Sequence, residues 1–120
     1  MIEEYKLGHI VIDGKDYDND VEVLWTDEVF DWDREEDYII GLNDVIGAIE
    51  REPEVIVIGT GESGMCQVTD EAVRAIEGKG IKLIIDKTEQ ATRTFNIRKE
   101  DSEEEEGGIE RVIGLFTLDY

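Results

Sequence analysis

The segment with the clearest chemical potential is Gly59-Thr60-Gly61-Glu62-Ser63-Gly64. Glycines let a ligand approach backbone N–H groups, and Thr60 and Ser63 add hydroxyls. Asp86 and Thr88 close the next apolar run, so their turn is expected beside this loop. Asn96 follows within the same helical segment. Gly59, Thr60, Gly61, Ser63, Asp86, Thr88 and Asn96 therefore form the candidate ligand-binding set. The loop lacks the Lys-Ser/Thr pair of a phosphate-binding P-loop and the spacing of a dinucleotide fingerprint. The Glu62 carboxylate disfavours a phosphate ligand. The plainer reading is that the glycines permit a tight turn and close packing. For Asn96 the plainer reading is a bond to backbone that seals its helix.

The remaining reactive side chains offer less. Cys66 is the lone cysteine and sits among acids, which raise a thiol's pKa, so a structural role is expected. His9 is the lone histidine and alternates with apolar residues on a strand, which excludes a histidine triad or a multi-histidine metal site. Asp16, Asp18, Asp20 and Asp27 echo calcium-loop spacing, but Val21 occupies the position that needs glycine and no helices flank the segment. No catalytic set, metal site or cofactor is expected.

The loop has to be presented by the elements around it. Val55–Ile58 is a run of β-branched residues and reads as a buried central strand. In open α/β sheets ligands bind at the C-terminal ends of such strands. Leu42, Val45, Ile46 and Ile49 have helical spacing, with Asn43 as a cap and Pro53 as a stop. Thr69 caps a second helix carrying Ala72, Val73 and Ile76, which Gly78 and Gly80 close. Ile81–Ile85 is a second strand. Thr88 caps a third helix with Ala91, Thr92 and Phe95 on one side.

Before this core, Tyr5–Ile12, Lys15–Tyr17 and Val21–Trp25 alternate around an Asp13-Gly14 turn, predicting an antiparallel meander. Glu22 marks the wet face of its third strand. Trp32 stands in a charged connection and covers core or walls the pocket. The acidic run Asp101–Glu106 predicts a mobile loop, and Arg111–Leu118 a final strand. Helical crossovers of this length join parallel strands, while the last strand can run either way.

With 120 residues the chain suits one domain, 1–120, and its 40% hydrophobic content can fill a core. The net charge of −20 opposes nucleic acid and anionic membranes. No apolar run suits a membrane span and no secretory signal opens the sequence, so a cytoplasmic protein is expected.

Val55-Ile-Val-Ile-Gly-Thr-Gly, then Gly80-Ile81, then Thr88-x-x-Ala91-x-x-x-Phe95-Asn96 carry a resemblance across nearly the whole chain. The chain resembles the small archaeal and bacterial proteins related to mitochondrial respiratory complex I assembly factor three and to the adipogenesis-associated vertebrate protein. Related sequences commonly place proline where this chain has Glu89, and both residues suit a helix's first turn. The resemblance implies an α/β fold: one three-layer domain, a mixed central sheet flanked by helices, and a small N-terminal antiparallel β layer. It also implies a last strand antiparallel to its neighbours, and no established enzymatic activity. The expected function is a non-enzymatic binding or assembly-type protein acting through a protein partner, with Trp25 or Trp32 in an exposed patch. The alternative is a small-ligand-binding protein or simple enzyme using Gly59–Gly64 and Asp86–Thr88.

Overall fold

The computed structural model describes residues 1–104 and 108–119. In chain order the strands and helices are β1 (Ile2–Lys6), β2 (His9–Ile12), β3 (Lys15–Tyr17), β4 (Val21–Val23), β5 (Val29–Asp31), β6 (Ile39–Ile40), α1 (Leu42–Glu50), β7 (Val55–Thr60), β8 (Gln67–Val68), α2 (Asp70–Glu77), β9 (Lys82–Asp86), α3 (Thr88–Glu104) and β10 (Val112–Thr117). A five-stranded mixed sheet, ordered β5-β4-β10-β7-β9, forms the middle layer. Apolar residues of α1 and α2 fill one side of it, with Ile56, Ile58, Ile113 and Leu115. Phe95 and Ala91 of α3 fill the other side, with Val55, Val57, Val112, Phe116 and residues of the three-stranded sheet β1-β2-β3.

The central strand is buried throughout, and it runs past Ile58 to take Gly59 and Thr60 into the ladder. β10 lies parallel to it, from Val112 opposite Val55 to Thr117 opposite Thr60. The resemblance implied a last strand antiparallel to its neighbours. It is antiparallel to β4 only. The cause is α3, whose 17 residues carry the chain back along the sheet, so that β10 re-enters at the same end as β7. At Gly114 of β10 an added Cβ would lie 2.4 Å from the Phe116 ring. The missing side chain makes room for the edge-to-face pair of Phe95 and Phe116, with centroids 5.9 Å apart.

The predicted meander is divided. β1, β2 and β3 form the small sheet, with β1 an additional strand and the predicted Tyr5–Ile12 strand broken at Leu7-Gly8. The predicted third strand leaves them and pairs with β10 and β5. Its Glu22 does not face water but is 8% exposed. Alternation marks two faces of a strand, and it cannot say whether the second face meets solvent or another layer.

Three local expectations also change. At α1 the Gly41 N–H donates to the Asp44 carboxylate at 2.8 Å, whereas the expected cap, Asn43, bonds Glu35. At α3 the Thr88 hydroxyl serves the neighbouring loop rather than its own helix. The acidic run is helical as far as Glu104, and Glu105 and Glu106 lie outside the described residues. Two cations precede that run. Arg98 holds Glu110 at 2.9 and 3.1 Å, and Lys99 reaches Asp27. Thr69 caps α2 as expected, its hydroxyl accepting from the Ala72 N–H at 3.1 Å.

Candidate functional site

The parallel pairing of β7 with β9 sets Gly59 opposite Asp86, so the two predicted turns do meet. Their contact is polar and closed. The Thr88 hydroxyl accepts from the Gly61 N–H at 2.8 Å and donates to the Thr117 carbonyl at 2.7 Å. The Thr117 hydroxyl donates to the Gly59 carbonyl at 2.9 Å, and the Thr60 hydroxyl to the Asp86 carbonyl at 3.0 Å. The Thr88 N–H donates to the Gly61 carbonyl at 3.1 Å. Thr88 and Thr117 are fully buried and Thr60 is 6% exposed. The three hydroxyls thus tie the ends of β7, β9 and β10 together.

Gly59 is required by close approach, because a Cβ there would lie 2.8 Å from the Thr88 Oγ1 and 2.9 Å from its Cα. Gly61, with φ 104°, makes the turn that aims its N–H at Thr88. Asp86 is exposed, and its carboxylate accepts the Lys87 N–H at 2.8 Å. Ser63 lies on the exposed part of the loop.

Asn96 does not join this group. Its side chain accepts from the Ile2 N–H at 2.9 Å and donates to the Ile2 carbonyl at 2.8 Å, fastening β1 to α3. Tyr5 of β1 reaches the loop instead, donating to Glu62 at 3.0 Å. Burial of the ring, and then that bond, push the Tyr5 phenol above its ordinary pKa.

The other predicted residues are dispersed. His9 sits between Asp18 (Nδ1 to Oδ1, 2.8 Å) and Asp16 (Nε2 to Oδ1, 2.9 Å). The bond to Asp18 raises its pKa above 6.5 against a smaller opposing effect of burial. Asp20 binds Arg34, and Asp27 binds Lys99, so the four aspartates do not converge. Among the described residues no group of three or more His, Cys, Asp or Glu side chains is placed to hold a metal ion. Cys66 is buried, its thiol 3.4 Å from the Asp37 carbonyl. Trp32 is 7% exposed and donates to the Asp44 carbonyl, so it covers core.

Two features escape the sequence. Thr117 belongs to the turn cluster only through the β10–β7 register. Glu22 lies 3.3 Å from Arg51, whose guanidinium stands 4.6 Å over the Phe30 ring. Burial raises the Glu22 pKa, and Arg51 partly opposes it. The pair is close but lacks hydrogen-bond geometry, which leaves one buried carboxylate oxygen without a hydrogen bond. No spacing in the sequence links these residues.

Residues 2–106 match a family described as proteins of unknown function, DUF498/DUF598. The chain belongs to that family. Solved structures share its fold. A conserved hypothetical protein from Pyrococcus horikoshii superposes with a TM-score of 0.84 at 19% identity, covering 100% of this chain and 99% of that one. A protein from Bordetella parapertussis gives 0.79 at 22% identity, covering 98% and 94%. One described as an outer membrane protein from Bartonella henselae gives 0.79 at 19% identity, covering 99% and 94%. No curated protein matches the chain. Among the described residues no helix is long and apolar enough to cross a membrane.

Proposed function

We propose that this protein is a non-enzymatic binding or assembly-type protein that acts through a protein partner. The observation that carries this reading is the commitment of the Thr60, Thr88 and Thr117 hydroxyls to backbone carbonyls, which spends the donor proton of each within the fold and leaves the turn tied shut. The resemblance to respiratory complex I assembly factor three supports an assembly role in the same direction.

The contact surface is expected at the short β6–β8 pair rather than at the tryptophans. Tyr38, Ile39 and Met65 are 48%, 43% and 56% exposed there. Ile39 also lines an open groove of about 440 Å³ with Glu35, Glu36, Asp44 and Glu71. Exposed apolar side chains in a region bearing several carboxylates suit a partner that offers apolar side chains among lysines or arginines. The test is capture from native lysate with the wild-type chain and with Ile39→Glu and Met65→Glu, each confirmed folded, followed by mass spectrometry of proteins and small molecules. Proteins retained by the wild type and lost by both variants support the reading. A co-purifying metabolite without any protein overturns it.

A further inference from the structure

β9 is the outer strand of the five-stranded sheet and, among the described residues, pairs on one side, with β7. The Lys82 N–H donates to the Glu54 carbonyl, so it points inward. In a parallel ladder alternate residues turn their N–H and C=O to opposite sides. Ile84 and Asp86 therefore point inward like Lys82, while Leu83 and Ile85 offer their backbone groups to the open edge. The side chains are also incompletely covered. Leu83 and Ile84 are half-buried and Ile85 is 44% exposed. An edge of this kind is a template for another strand.

The sequence of the strand selects that strand. Lys82-Leu83-Ile84-Ile85-Asp86 is self-complementary when reversed about Ile84. We infer that the open edge of β9 pairs antiparallel with β9 of a second copy of this chain, around a two-fold axis at Ile84. In that register Leu83 of one copy faces Ile85 of the other. These are the residues whose backbone groups point outward, so each pair exchanges two N–H···O bonds. Lys82 faces Asp86 of the other copy, twice by symmetry. Ile84 meets its own symmetry mate, and the exposed Ile85 is covered by Leu83.

Other registers do worse. A shift of one residue sets inward-pointing N–H groups against outward-pointing ones. A shift of two sets a charged residue against Ile84 and breaks both ion pairs. The strand is neutral in itself, with one lysine and one aspartate, in a chain of net charge −20. It is thus a place where two such acidic molecules can touch without adding like charge at the seam. Their general repulsion still acts, and salt screens it within about 8–10 Å at moderate ionic strength.

Sedimentation equilibrium of the full chain tests this. The expected result is a monomer–dimer equilibrium that tightens as salt rises from about 0.05 to about 0.5 M. Lys82→Asp and Asp86→Lys each place like charges opposite one another and weaken the dimer at least tenfold. The double exchange restores the opposite pairs and returns the wild-type dissociation constant. Circular dichroism checks that the variants are folded, because the Asp86 carboxylate also holds the Lys87 N–H. Rescue by the double exchange is a readout that a purely structural role would not give. A chain that stays monomeric to millimolar concentration in high salt overturns the inference. So does a dimer indifferent to both single exchanges, or one that the double exchange fails to restore.

Discussion

Replacing Thr88 by valine keeps the shape of the side chain and removes its hydroxyl. In the wild type that hydroxyl satisfies the Gly61 N–H at 2.8 Å and the Thr117 carbonyl at 2.7 Å, both in fully buried bonds. Valine leaves a donor and an acceptor without partners in a place that water does not reach. Each orphaned group costs about 1–3 kcal/mol, so the loss is about 2–6 kcal/mol. A domain of this size has about 5–15 kcal/mol in total. The melting midpoint should therefore fall by roughly 8–20 °C. Urea unfolding should show a lower midpoint with an unchanged slope. Thr88→Ser separates the hydroxyl from the methyl. It keeps both bonds and loses one buried methyl, about 1 kcal/mol. Amide exchange at Gly61 should quicken in the valine variant and not in the serine variant. The reasoning is refuted if Thr88→Val lies within about 0.5 kcal/mol of wild type, or if Thr88→Ser is equally damaging. A residue kept for ligand binding would follow the first of those patterns, so the experiment also bears on what the turn is for.

Gly59→Ala should destabilise by about 1–3 kcal/mol, because the new methyl meets Thr88 backbone at 2.9 Å and β7 or α3 must shift; a wild-type melting curve would refute it. Glu22→Gln should raise the melting midpoint at pH 7 by a few degrees, on the scale of about 1 kcal/mol. Burial raises the Glu22 pKa above its unfolded value, so folding favours the neutral acid. That stability is present below the unfolded pKa and is lost as pH rises through the folded one. Wild type and Gln variant should thus converge below about pH 4, and a gap that widens there would count against the argument. The His9 pKa, followed by NMR, should lie above 6.5 and fall in Asp18→Asn. Its stabilising effect is present below the unfolded value and disappears as pH rises through the folded one, so an unperturbed titration in wild type would contradict the pairing.

The sequence alone determined the local elements wherever one periodicity had one meaning. Val55–Ile58 could only be a strand covered on both faces. Thr69 with its apolar stripe could only open a helix. A turn was due after that strand, although it begins at Gly61 and not at Gly59, which pairs with Asp86 in the ladder. Tertiary structure decided everything that depends on register and on what covers a face. Alternation around Glu22 was visible, but only the sheet's second layer made that face dry. Thr88 looked like a helix cap until the turn at Gly61 came within 2.8 Å of its hydroxyl. Thr117 gave no signal, because its role comes from standing opposite Thr60 in a pairing that spans half the chain. Periodicity is a property of neighbours in sequence. The closed hydroxyl cluster at the end of the central strand is a property of neighbours in space.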